Sequence, residues 1–231
     1  MQSFATRFLL LLFVAACFHP NQAGAEPFVA APNSTAAPKD RSHWPVIVAF
    51  GDSLTAVDAD EGQSYPDYLQ KDLIRDGYDY RVVNLGVGGN TTKDGLARIK
   101  DVLMQHPALV IVGLGGNDGL RGEPVDQMRT NLDRILAILT GQHIPVILGG
   151  ITLPPNYGQV YVQKFNAVYP ELARKYHVPL LPFMLQGVWN HPEMMHDDGI
   201  HPTGAGNVVV AQNFLPFVEH ALREHAPGKP H

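Results

Sequence analysis

Beyond residue 45 the chain alternates between short unbroken apolar runs and longer stretches in which apolar residues return every three or four positions. Val46-Ile47-Val48-Ala49-Phe50 has no polar position for either face of a pleat, so it predicts a strand buried on both sides. Similar runs at Arg81–Leu85, Leu109–Leu114, Pro145–Ile151 and Pro179–Phe183 predict four more strands. Between them, Tyr65–Arg75 carries apolar residues at Tyr65, Tyr68, Leu69 and Leu73 and closes at Gly77, which predicts a helix. Thr92–Gln105 reads as a second helix. Val125–Thr140 is the clearest of all, with Val125, Met128, Leu132, Ile135, Leu136 and Leu139 on one stripe and Gly141 placed as a C-cap. Val160–Tyr176 follows, with Tyr161, Phe165, Val168, Leu172 and Tyr176 facing inward, and Thr203 is placed to N-cap a last helix running to about Arg223, bent near Pro216.

Five strand-like runs separated by helices predict an α/β protein with a five-stranded parallel sheet and helices on both faces. In such sheets the crevice that binds ligands lies beyond the carboxyl ends of the strands. That rule selects three loops on one rim, those after Phe50, Leu85 and Leu114.

The first 45 residues follow a different pattern. Arg7, the apolar run Phe8–Ala16 and the small residues Ala23-Gly24-Ala25 have the layout of a signal peptide, and the run is too short for the roughly 20 residues of a membrane span. Val14-Ala15-Ala16-Cys17 also resembles a lipobox, in which Cys17 would be lipidated; Pro20 favours ordinary cleavage before Glu26. The chain thus divides into a signal peptide (1–25), a leader rich in Ala, Pro, Ser and Asn (26–45), one domain (46–225) and a tail (226–231), and is expected in the periplasm or secreted. Cys17 is the only cysteine, so the domain has no disulfide, cysteine nucleophile or thiolate metal site. The formal net charge of -5 becomes about -6 once Arg7 is removed, which gives no electrostatic reason to expect nucleic acid or an anionic membrane surface as main partner.

Candidate chemistry sits on the three selected loops. Ser53, in Gly51-Asp52-Ser53-Leu54, stands just past a buried strand; it reads either as a helix cap or, given a base, as a nucleophile. The motif is not the Gly-x-Ser-x-Gly elbow of the α/β-hydrolases. Gly86-Val87-Gly88-Gly89-Asn90-Thr91 allows close backbone approach; as a dinucleotide fingerprint it fails at Thr91, where a third glycine belongs, and lacks the acidic ribose partner. In Gly115-Gly116-Asn117-Asp118, Asn117 fits an Asx-turn or an amide aimed at an oxyanion. Near the end, Asp198 and His201 stand three apart across Gly199, a spacing that lets the carboxylate accept the imidazole Nδ1–H, or that makes a helix-entry turn. His191, His196, Asp197 and His201 also cluster, but at no zinc-signature spacing. A nucleophile, oxyanion donors and an acid–base pair thus fall in order on loops of one rim.

These blocks resemble the SGNH, or GDSL, hydrolase superfamily, over about Val46 to Leu222. The matching positions are Gly51–Leu54, Gly88–Thr91, Gly115–Asp118 and Asp198–His201, and the strings Gly115–Gly122 and Leu153–Gly158 look most like the periplasmic thioesterase/lysophospholipase/arylesterase group. The resemblance implies a flavodoxin-like three-layer α/β/α sandwich. It implies Ser53 as nucleophile, His201 as base and Asp198 orienting it. The oxyanion hole would be the backbone N–H groups of Ser53 and Gly89 with the Asn117 amide. Substrate would be bound at Leu153 and in a mobile loop, Gly119–Pro124, that includes Leu120 and Arg121. Gly86 and Gly88 where serine is expected, Asn90 where Asp is common, and Thr152 where the group can carry a basic residue leave head-group and chain-length preference open.

The expected function is therefore an exported serine hydrolase of carboxylic esters or thioesters with hydrophobic acyl chains, acting without cofactor or metal. Its partner is a small-molecule or lipid acyl ester; no nucleic acid is expected, membrane contact only through a lipidated Cys17, and the chain should act as a monomer. A carbohydrate deacetylase on the same fold and a non-catalytic acyl-binding envelope protein are the alternatives.

Overall fold

A computed structural model describes residues 40–56 and 62–225. The signal peptide, all of the leader before Asp40 and the tail 226–231 lie outside the described residues.

Five strands form one parallel sheet: β1 (Val46–Gly51), β2 (Arg81–Gly86), β3 (Leu109–Gly113), β4 (Val146–Gly149) and β5 (Leu180–Leu181), in the order β2-β1-β3-β4-β5. β1 and β3 are buried along their whole length, whereas the edge strand β2 is only half-buried. Helix α1 (Tyr65–Arg75) packs on α7 (Gly204–Glu224), where Tyr65 stacks on Phe214 with ring centroids 5.1 Å apart. α2 (Thr92–Ala97), α5 (Val125–Gly141) and α6 (Gln159–Tyr176) pack in succession, giving the three-layer α/β/α arrangement expected of the pattern. Because β2 lies on one side of β1 and β3 on the other, the chain reverses its winding beside β1, and the ligand-binding crevice of such a sheet opens there.

Three local expectations are corrected. Thr92–Gln105 is not one helix: α2 and α3 (Ile99–Leu103) are separated at Arg98, whose backbone (φ -105°, ψ 17°) leaves the helical region. The break turns the guanidinium inward, where it donates to the carbonyl oxygens of Leu85 and Gly51 and to Asn90 Oδ1. Gly141 is the last residue of α5; the left-handed residue that closes the turn is His143 (φ 58°), whose N–H donates to Thr140 O at 2.9 Å. The fourth and fifth strands start one residue inside their apolar runs because Pro145 and Pro179 have no N–H to give the ladder, although their carbonyls still accept from Val110 and Leu148, and they end early, at Gly149 and Leu181. Tyr161 and Tyr176 do pack against the core, half-buried, with their hydroxyls donating to Glu123 O and Asp133 O. Thr203 does cap α7, its Oγ1 accepting from Gly206 N, and the helix runs on through Pro216.

β1 delivers its last residue into a space that excludes any side chain. A Cβ on Gly51 would lie 2.0 Å from Thr55 Oγ1 and 2.8 Å from the Gly113 carbonyl oxygen. Gly51→Ala is therefore expected to cost about 1–3 kcal/mol of stability, the usual range for overpacking. Urea denaturation checks this; a midpoint equal to that of the parent chain would contradict it.

Candidate active site

Immediately after Gly51 the chain turns tightly: Thr55 and Ala56 donate their N–H groups to Asp52 O, and Leu54 N–H donates to Asp52 Oδ1. The turn holds Ser53 half-buried at the rim of the sheet. The N-cap of α1 is Ser64, so Ser53 does not cap that helix.

Asp198 and His201 arrive from the far end of the chain on a closed loop. His196 N–H donates to His201 O at 2.8 Å, Gly199 takes a left-handed conformation (φ 66°), and Met195 bridges Pro202. Asp198 Oδ1 accepts from the N–H groups of Ile200 and His201, while its Oδ2 lies 2.6 Å from His201 Nδ1. His201 Nε2 in turn lies 2.8 Å from Ser53 Oγ. Partial burial works against ionisation of Asp198, but the hydrogen bonds from His201 and Ile200 outweigh it and hold its carboxyl at about 2. A carboxylate held ionised on Nδ1 fixes the imidazole with Nε2 as the acceptor, which is the state that can take a proton from a hydroxyl.

The other two loops converge on the same point. Gly89 (φ 74°) uses a conformation that favours glycine, in the turn closed by Asn90 N–H on Val87 O. Asn117, on α4 (Gly116–Leu120), spends one amide hydrogen on Asn90 O at 3.0 Å, which orients the side chain and leaves a second donor on the same nitrogen. Just behind it, buried Asp118 accepts from the N–H and hydroxyl of Thr92 and so ties α4 to the start of α2.

Ser53, Gly89, Asn117 and His201 line a single cavity of about 410 Å³. Its walls are mostly apolar, with Leu120 and Leu153 joined by Ile151, Phe183, Trp189 and Ile200. Arg121, expected to bind substrate, is not in the lining; it is exposed, and its Nη2 donates to Gly89 O at 2.8 Å. Phe183, Trp189 and Ile200 were not anticipated. Phe183 ends the last apolar run, and the rule about carboxyl ends of strands could have selected it. Trp189 had no such signal; it meets Phe183 edge to face at 5.6 Å. Of the histidine cluster, His191 faces Glu193 and His201 faces Asp198 and Ser53. Among the described residues no group of three or more His, Cys, Asp or Glu side chains could hold a metal ion.

Residues 49–209 match the model of the GDSL-like lipase/acylhydrolase family. The chain is 41% identical to the esterase TesA of Pseudomonas aeruginosa over 178 residues, 76% of this chain and 89% of the relative. It is 38% identical to an arylesterase of Vibrio mimicus (78% and 88% covered), and 42% identical to the thioesterase 1/protease 1/lysophospholipase L1 of Escherichia coli (60% and 69% covered). Among solved structures, TesA superposes with a TM-score of 0.73 at 41% identity, covering 77% of this chain and 99% of that one. The psychrotrophic esterase EstA from Pseudoalteromonas sp., in a structure inhibited by monoethylphosphonate, superposes with a TM-score of 0.72 at 26% identity, covering 77% and 98%.

A second carboxyl lies beneath the site. Asp52 is buried, and burial, only partly opposed by the Leu54 N–H and by nearby His201, pushes it up to about 6. A carboxyl raised in the folded state stabilises the fold below its unfolded value of about 3.9, and that contribution is lost as pH rises through about 6. Asp52→Asn should therefore stabilise the protein at pH 8, by up to about 3 kcal/mol at roughly 1.4 kcal/mol per pH unit, and leave it nearly unchanged at pH 4. Urea denaturation at both values checks this, and an equal difference at the two would contradict it.

Proposed function

The chain belongs to the GDSL-like lipase/acylhydrolase family, whose esterase, thioesterase and lysophospholipase-type members make it a carboxylic ester hydrolase, and we propose that it works by forming an acyl-enzyme on Ser53. The observation that carries this reading is the hydrogen-bonded chain Asp198–His201–Ser53 at the mouth of an apolar cavity.

In this scheme Ser53 Oγ attacks the acyl carbonyl carbon while its proton passes to His201 Nε2. Asp198 holds the ring in place and stabilises the imidazolium that forms. Negative charge collects on the former carbonyl oxygen, where the N–H groups of Ser53 and Gly89 and the Asn117 amide serve as donors. Collapse of the tetrahedral adduct breaks the bond to the leaving oxygen or sulfur, which takes the proton from His201. A water molecule, deprotonated by the same nitrogen, then releases the acid and restores Ser53. Each step uses groups of the chain and water alone. Inhibition of a related esterase by monoethylphosphonate supports a nucleophilic route, because a phosphonate offers a tetrahedral centre like the adduct.

The apolar lining points to acyl chains of hydrophobic esters or thioesters, with Leu120 and Leu153 contacting them and Arg121 acting from outside through Gly89. Arg7, the run Phe8–Ala16 and Ala23-Gly24-Ala25 support export, with a soluble mature chain beginning at Glu26 and lipidation at Cys17 as the rival. No helix among the described residues is long and apolar enough to cross a membrane.

Ser53→Ala should abolish hydrolysis of a p-nitrophenyl ester and of an acyl thioester while the circular dichroism spectrum is retained; retained turnover would overturn the mechanism. Asn117→Ala should lower kcat by about 10²–10³, the usual loss for one oxyanion donor. A fall of less than about threefold in the folded variant would remove Asn117 from the oxyanion hole.

A further inference from the structure

Arg98 is a half-buried cation with no part in the chemistry above, yet each of its hydrogen bonds ends on a segment that shapes the site. Nη2 donates to Gly51 O at 2.7 Å, two residues before Ser53. Nη1 donates to Leu85 O at 2.8 Å, at the end of the strand that leads to Gly89. Nε donates to Asn90 Oδ1 at 2.7 Å, and the backbone oxygen of the same Asn90 accepts the Asn117 amide. The guanidinium also lies 4.4 Å from the centroid of the Phe50 ring, which covers one of its faces.

The planar fork matters here. Three donors set in one plane meet acceptors on β1, on β2 and on the glycine loop, and charge-assisted bonds of this length are about twice as strong as neutral ones. Without Arg98, Leu85 O, Asn90 Oδ1 and Gly51 O would each lose a charged donor. Lysine could place the charge but not the geometry. Arg98 stands at the break between α2 and α3, so its side chain leaves from the junction of the two helices.

We propose that Arg98 is a positioning residue for acyl transfer: it locks the ends of β1 and β2 to the Asn90 turn and thereby sets the Asn117 amide against Ser53. The inference rests on the assignment of Ser53 and Asn117 under Proposed function. It acts through Asn90, and its effect should therefore fall on the transition state, where the oxyanion forms, rather than on substrate binding.

A double-mutant cycle tests it. Arg98→Lys should lower kcat for a short p-nitrophenyl ester about tenfold or more, with KM changed less than threefold and the circular dichroism spectrum retained. In an Asn117→Ala background the same change should cost less than threefold, because the donor that Arg98 positions is already gone. Equal losses in the two backgrounds, or a loss confined to KM, would overturn the proposal. If Arg98→Lys does not fold, Asn90→Ala replaces it: it removes the side-chain link to the guanidinium and should also lower kcat about tenfold, and kcat within twofold of the parent would overturn the proposal. Failure of the underlying assignment looks different, since Asn117→Ala by itself would then leave kcat within about threefold of the parent.

Discussion

At the carboxyl end of β1 the chain has to turn in contact with two neighbouring strands, and everything at the rim depends on how that is done. Gly51 leaves room for Thr55 and for the Gly113 carbonyl where a side chain would collide with both. The turn after it closes on Asp52 O and holds Ser53 at the point where the winding of the sheet reverses. A serine displaced by an ångström would lose its 2.8 Å contact with His201, whose position is fixed independently by a loop almost 150 residues away. The close approach at Gly51 is thus the constraint that the hydrogen-bonded chain from Asp198 to Ser53 relies on.

Two kinds of support meet at this point. Asp198 and His201 are organised locally: their loop closes on itself through His196, Gly199 and the Met195–Pro202 bridge, and needs little from the rest of the fold. The oxyanion side is organised at long range, through Arg98 to Gly51, Leu85 and Asn90, and through Asp118 to Thr92. Buried Asp52 and Asp118 show the cost of this arrangement, since burial raises both carboxyls. Native sites often hold such groups at the expense of stability.

What could be read from the chain follows the same division. Buried strands and amphipathic helices leave a strong periodic signal, and the starts of β1, β2, β3, α1, α5 and α7 fall where the pattern places them. The short motifs around Ser53 and Asn117 were legible because each sits on a loop picked out by the rule for parallel sheets, and His201 because Asp198 stands three residues before it across Gly199. The break at Arg98 was not, because the acceptors its guanidinium reaches lie on β1, on β2 and in the Asn90 turn, and only the fold brings them to Arg98. His143 replacing Gly141 as the left-handed residue escaped for a related reason, since histidine adopts that conformation only occasionally. On the aromatic side of the cavity, Phe183 was within reach of the carboxyl-end rule, whereas Trp189 lies beyond the last strand with no motif to mark it.

The central claim is that Ser53 is made nucleophilic by its contact with His201. Brief treatment of the folded protein with a fluorophosphonate, followed by peptide mass spectrometry, tests it most directly. One covalent adduct is expected, on Ser53, formed rapidly in the parent chain and far more slowly when His201 is replaced by alanine. An unlabelled Ser53 in folded protein, or labelling at the same rate without His201, would contradict it.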